Sequence, residues 1–168
     1  TFAPTMTQAS LGKYKLIRFH RRGFAGSSRA PIPFSMKEQA ADAAALLKAL
    51  GISRAHIVGH SFGGCVALQL ALDQPSMVRS LVVMEPPIFD ADAAVSPFAK
   101  LDSMYQAGDK LGAMSTFSQM SYGTEWRTLA ARVPGGPAQV EKDVDTVFQS
   151  EAPSMVKWGF GAADAHAL

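Results

Sequence analysis

Short apolar runs alternate with helical periodicities through the first half of the chain. Tyr14 to His20 (YKLIRFH) is an apolar-rich run followed by the glycine-bearing RRGFAGSSRAPIPF, which predicts a strand and then a loop closed by Pro31 and Pro33. Ser35 then stands three residues before Glu38, the spacing of a capping box. Met36, Ala40, Ala43, Leu47 and Leu50 recur on one helical face behind it, and Gly51 supplies a stop. RAHIVGH, from Arg54 to His60, predicts a second strand, and FGGCVALQLALDQ, from Phe62 to Gln74, a helix ended by Pro75. VRSLVVM, Val78 to Met84, predicts a third strand. Strands alternating with helices in this way require crossover connections and a parallel sheet.

The pattern changes after Pro86. Apolar positions at Phe98, Leu101 and Tyr105, then Leu111, Met114 and Phe117, then Val140, Val144, Val147 and Phe148 predict successive amphipathic helices with no strand between them. Residues 1–86 are therefore expected to form an α/β core and residues 87–168 a helical region laid over the carboxyl edge of the sheet, where open α/β folds bind ligands.

Composition narrows the function classes. The chain has 168 residues, 48% apolar and 18% charged, which suits one packed domain rather than a disordered segment or coiled coil. Sixteen Lys and Arg face 14 Asp and Glu, and only Arg18, Arg21, Arg22 and Arg29 gather locally, so a nucleic-acid surface is not expected and a small-molecule partner is. A single cysteine, Cys65, excludes an internal disulfide and points to a small buried hydrophobe in a reducing, cytoplasmic setting. No stretch has signal-peptide or membrane-spanning character, and no metal or organic cofactor is expected.

The chemistry-bearing segment is Gly59-His60-Ser61-Phe62-Gly63, a GxSxG with Gly64 beside it. It falls at the junction of a β-branched strand and a small-residue helix, where a nucleophile elbow holds its serine. Such a turn strains the serine backbone, and the flanking glycines remove side chains that would collide. Ser61 is then the expected nucleophile, and the Phe62 N–H, at the helix amino terminus, an expected oxyanion donor.

With these residues the chain resembles the α/β-hydrolase superfamily, specifically small serine hydrolases with a helical cap, and GHSFGG carries most of the likeness. FHRRGFAGSS, Phe19 to Ser28, resembles the strand and loop where many members carry Asp and then Arg-Gly; here His20 stands in place of the Asp, while Arg22 and Gly23 keep the match. His20 is expected to be a hydrogen-bonded loop residue. The resemblance implies an α/β-hydrolase fold: a parallel sheet with a nucleophile elbow and a helical cap. It also implies acyl transfer to Ser61, with carboxylic esters or similar small acyl compounds as substrates.

The family order is Ser, then Asp or Glu, then His, with the last two beyond the cap. The chain opens at Thr1 and closes at Leu168 before such strands, so the resemblance implies a domain cut at both ends. His20 and His56 precede the serine, His60 lies inside the elbow and His166 stands three residues from the end; only His166 is a candidate base. Glu85 follows the strand after the serine, where haloalkane dehalogenases carry their acid, and also suits an ordinary strand exit before Pro86 and Pro87. Those dehalogenases and the epoxide hydrolases use an Asp nucleophile, so Ser61 favours acyl chemistry. A perhydrolase, a C–C bond hydrolase and a non-catalytic ligand-binding relative stay open, as does self-association through an exposed sheet edge. The cap residues Phe89, Phe98, Met104, Tyr105, Met114, Phe117, Met120, Trp126 and Trp158 are expected mainly in the cap core. Asp102, Asp109, Asp143 and Asp145 are expected to be solvated or capping.

Overall fold

The structure, a computed structural model, describes residues 2, 4–29, 31–89 and 98–168. Its first helix, α1 (Met36–Ala49), starts where the sequence signals it. The Ser35 hydroxyl accepts the Glu38 N–H at 3.2 Å, and the Glu38 carboxylate accepts the Ser35 N–H at 2.7 Å, which closes the capping box. These bonds to Ser35 hold the Glu38 carboxyl below its ordinary range. At the other end Gly51 takes φ +69°, a left-handed turn that a side chain would strain.

Strand β1 (Ala55–His60) leads through Ser61 into α2 (Phe62–Asp73), and β2 (Val78–Met84) returns parallel to β1 with Ile57 opposite Leu81, Val58 opposite Val82 and Gly59 opposite Val83. Helices α1 and α2 pack together, and Ala40, Ala44, Leu47, Leu70 and Met77 form a buried cluster against which the partly buried Ile57 and Val78 pack. Because strand side chains alternate, the opposite face of the same sheet carries Val58, Val82 and Met84, which are exposed.

The expected strand Tyr14–His20 does not form. Among the described residues the sheet has two strands, and residues 15–20 pair with neither. Tyr14, Ile17 and Phe19 are consequently exposed, and Tyr14 makes an edge contact with His56 of β1, ring centroids 6.3 Å apart. An apolar run becomes a strand only when a neighbour satisfies its backbone, and none lies alongside this segment among the described residues.

From residue 98 the described chain is helical: α3 (Ala99–Gln106), α4 (Lys110–Tyr122), α5 (Trp126–Ala130), α6 (Gly136–Thr146), a π turn at Val147–Glu151 leading directly into α7 (Ala152–Val156), and α8 (Ala162–His166). Asp109 caps α4 through the Gly112 N–H at 3.0 Å, and Gly123 ends it at φ +65°. Leu101, Tyr105, Ala113, Met114, Trp126, Val144 and Phe148 form the core of this region, with Tyr105 stacked on Phe148 at 5.2 Å. Met120, expected inside, is exposed.

The loop after the Tyr14–His20 segment fastens the helical region to the rest. Asp143 accepts from the Arg29 guanidinium at 2.6 Å and from the Ala25 N–H at 3.0 Å, and the Thr146 hydroxyl donates to the Gly23 carbonyl at 3.0 Å. Asp143, expected to be solvated or capping, is instead buried, where it accepts two donors that the loop brings to it. Asp102 stays exposed, and Asp145 is half-exposed and bonded to Lys110 and the Tyr105 hydroxyl.

Candidate active site

The elbow is built from three constraints. Ser61 takes φ +52° and ψ −129°, a conformation rare for a residue with a side chain and one that costs on the order of 1–3 kcal/mol. Its N–H donates to the carbonyl of Met84 at 2.9 Å, so the end of β2 holds the turn open. Its carbonyl accepts the Gly64 N–H at 2.7 Å, which starts α2 immediately. Gly59 allows the crossing: a Cβ there would lie 2.4 Å from the Gly63 carbonyl oxygen. Gly64 is nearly as confined, with a Cβ 3.1 Å from Val83 and 3.2 Å from Pro86.

This geometry brings Gly59, His60, Ser61, Phe62 and Gly63 together as the spacing predicts. Ser61 is partly exposed, and its side chain does not cap α2, which leaves the hydroxyl for another partner. The Phe62 N–H belongs to the first turn of α2, where an amide has no intrahelical acceptor and carries the positive end of the helix dipole.

The proposed acid and base are not brought to Ser61 by any hydrogen bond among the described residues. Glu85 takes φ +49° directly after β2, and its side chain is 88% exposed, 3.6 Å from the His60 Nε2. His166 lies on α8 and engages the Ala162 carbonyl through Nδ1 at 2.7 Å. His56 Nδ1 meets the Ser80 hydroxyl at 2.7 Å on the exposed face of the sheet. At His20 it is the backbone carbonyl that accepts the Ser27 hydroxyl.

Beneath the elbow, Phe62, Cys65 and Val66 pack with Met36, Ala152 and Met155, and Phe89, Phe98 and Trp158 border the same cluster. Of the aromatics expected in the cap core, Phe89 and Trp158 stand beside the elbow, while Phe98 packs against both this cluster and the cap core. Cys65 is fully buried, as expected, and burial pushes its thiol up to about 12. Among the described residues no group of three or more His, Cys, Asp or Glu side chains is placed to hold a metal ion, and no helix is long and apolar enough to cross a membrane.

Two residues beside the elbow carry no sequence signal. Arg21 lies over the Phe62 ring, 4.8 Å from its centroid, and 5.3 Å from that of Phe24, and it pairs with Glu151 of the π turn. The partners are 130 positions apart, beyond the reach of any local pattern. Burial raises the Glu151 carboxyl above its ordinary range, against the opposing pull of Arg21. Arg22, by contrast, matches the family's loop arginine and grips Asp42 of α1 with two bonds of 2.6 Å.

Known proteins agree with this architecture. A family profile described as the alpha/beta hydrolase fold matches residues 2–161. A putative carbamate hydrolase, RutD, from Klebsiella pneumoniae (strain 342) is 31% identical over 124 residues, covering 73% of this chain and 46% of that protein. Its counterpart from Caulobacter segnis is 38% identical over 85 residues, covering 49% of this chain and 32% of that protein. The chain thus spans less than half the length of these curated relatives. Among solved structures, an alpha/beta hydrolase from Sphaerobacter thermophilus DSM 20745 superposes with a TM-score of 0.60 at 24% identity, over 86% of this chain and 56% of its own. Est816, described as an N-acyl homoserine lactone degrading enzyme, gives 0.52 at 26% identity, over 80% and 54%. With a strained serine between a parallel strand and a helix, and a family match across nearly its whole length, the chain belongs to the alpha/beta hydrolase family.

Proposed function

We propose that the protein is a serine-dependent hydrolase that acts on carboxylic esters or similar small acyl substrates through an acyl-enzyme on Ser61. The observation that carries this reading is the Ser61 backbone, φ +52° and ψ −129°, at the carboxyl end of β1 and the amino end of α2. A strained side-chain-bearing residue is maintained at a cost, and here the strain lifts a hydroxyl away from the helix it would otherwise cap.

In the first step the Ser61 Oγ bonds to the substrate carbonyl carbon while its proton passes to a general base. The carbonyl π electrons move onto oxygen, and the Phe62 N–H donates to that oxyanion. Collapse expels the alcohol, which takes the proton, and leaves the acyl group on Ser61. Water then attacks the acyl carbon, and the acid departs as the Ser61 hydroxyl is restored. The base is a histidine in this scheme, and none of the four is bonded to Ser61 among the described residues, so slow turnover is the expectation for this chain alone. Phe89, Phe98 and Trp158 beside the elbow favour an acyl group that is partly apolar. Carbamates are the second substrate class, supported by the activity in the names of the RutD relatives.

The test is hydrolysis of 4-nitrophenyl acetate and butyrate by the wild type and by Ser61→Ala. Turnover above the solution rate that vanishes in Ser61→Ala is expected. Equal rates in both would overturn the assignment.

A further inference from the structure

We propose that Arg21 is a positioning residue for Ser61: lying over the Phe62 ring and held by Glu151, it fixes the first turn of α2 and ties that turn to the π turn of the cap. This inference rests on the Ser61 reading above and deepens it.

Arg21 touches the elbow at two points. Its guanidinium lies 4.8 Å from the Phe62 ring centroid, and its Nη1 stands 3.9 Å from where a Cβ on Gly63 would be. A Cβ at Gly63 would thus only touch the guanidinium at ordinary contact distance, which places Arg21 directly against the helix start. The far end of the same guanidinium is anchored, since Nη2 donates to Glu151. Phe24, 5.3 Å away, limits its movement from the loop side.

Glu151 is a costly anchor. It is buried, in a segment that leaves α-helical hydrogen bonding for a π turn, and such turns gather at functional sites. The charged and titratable groups around it are Arg21 from the loop, which pulls its carboxyl down, and Cys65 from α2 and Tyr122 from α4, which its charge pushes up. Only Arg21 is cationic among these. A buried ion pair returns little net stability once desolvation is counted, and an apolar pair would join cap and core as well. What an apolar pair could not do is hold a flat, rigid fork against Phe62. If that fork sets the angle of the Phe62 N–H, losing it displaces the oxyanion donor while the fold persists.

The experiment compares Ser61 labelling by a fluorophosphonate probe in the wild type, Arg21→Lys, Arg21→Gln and Glu151→Gln, separating the maximal inactivation rate from the probe's apparent affinity. Melting temperature is measured alongside. Arg21→Lys keeps the charge for Glu151 and loses the flat stack, so it separates positioning from simple cap anchoring. The expected result is a maximal rate on the order of 10-fold to 100-fold lower in Arg21→Lys, with affinity and melting near wild type. Glu151→Gln, an isostere that keeps a hydrogen-bond acceptor, is expected to lower the rate less and to shift the Phe62 and Gly63 amide resonances. Wild-type rates in Arg21→Lys, or unmoved amides in Glu151→Gln, overturn the inference and leave the Ser61 reading intact. A wild type that the probe labels at a residue other than Ser61 overturns both.

Discussion

Replacing Gly59 by alanine tests the geometry of the elbow with one methyl group. A Cβ at this position would sit 2.4 Å from the Gly63 carbonyl oxygen, 2.8 Å from the Gly63 carbonyl carbon and 2.8 Å from the Gly64 Cα. Ordinary contacts of this kind begin near 3.4 Å, so the overlap is about 1 Å, and all three opposing atoms are backbone. No rotamer can relieve it. Either β1 and α2 separate, or the Ser61 turn opens and loses the 2.9 Å bond to the Met84 carbonyl. Overpacking a closed site costs about 1–3 kcal/mol, and losing a partly buried backbone hydrogen bond adds about 1 kcal/mol. A total of about 2–4 kcal/mol is therefore expected as a lowered midpoint in urea denaturation, followed by circular dichroism. Gly63→Ala is the internal control. Its Cβ would meet only Arg21 Nη1, at 3.9 Å, and alanine is the better helix former by about 1 kcal/mol, so stability should hold or rise. If Gly59→Ala denatures at the wild-type midpoint, the close crossing of strand and helix is not the constraint described here.

Three other outcomes follow from the described contacts. Ser35→Ala removes the hydroxyl that accepts the Glu38 N–H, and should cost about 1 kcal/mol in the same denaturation assay; a change near zero would mean the capping box does not hold α1. Cys65, buried with its thiol pushed up to about 12, should resist iodoacetamide in the native protein and react fully in denaturant, as read by mass; rapid native alkylation would contradict its burial. Glu151 has its folded carboxyl raised by burial, so in acid the folded chain keeps this proton after the unfolded chain releases it at the ordinary value of 4.5. Its stability contribution is thus present below 4.5 and is lost as pH rises through the raised folded pKa. The melting temperature of Glu151→Gln relative to wild type should climb as pH rises above 4.5, and a flat difference would contradict the burial effect.

Local signals in the sequence were strong where a structure is made by neighbours in the chain. Ser35 and Glu38 mark the start of α1 because a capping box is three residues long, and Gly51 marks its end through its left-handed turn. β2 spans Val78–Met84, the bounds its apolar run implies, and the elbow at Ser61 is legible because a strand–serine–helix junction needs small residues at fixed offsets. Tyr14–His20 shows the limit of the same reasoning. Its pattern is that of a strand, but pairing depends on what lies beside it in space. α5, α7 and α8 are five residues each, too short for a periodicity to emerge. Asp143 and Glu151 escaped for the opposite reason: an acidic residue on a helix reads as solvent-facing until a distant arginine, Arg29 or Arg21, is folded against it. Arg21 itself was visible only as one of a small basic group, with nothing in the sequence to link it to the elbow.

The central claim is that Ser61 forms a covalent bond to the acyl carbon or its phosphonate mimic. Its most direct test is intact mass after exposure to a fluorophosphonate, followed by peptide mapping. The account predicts a single adduct on the peptide containing Gly59-His60-Ser61-Phe62-Gly63, located at Ser61 and absent from Ser61→Ala. An adduct located at a residue other than Ser61, or one that persists in Ser61→Ala, would contradict it.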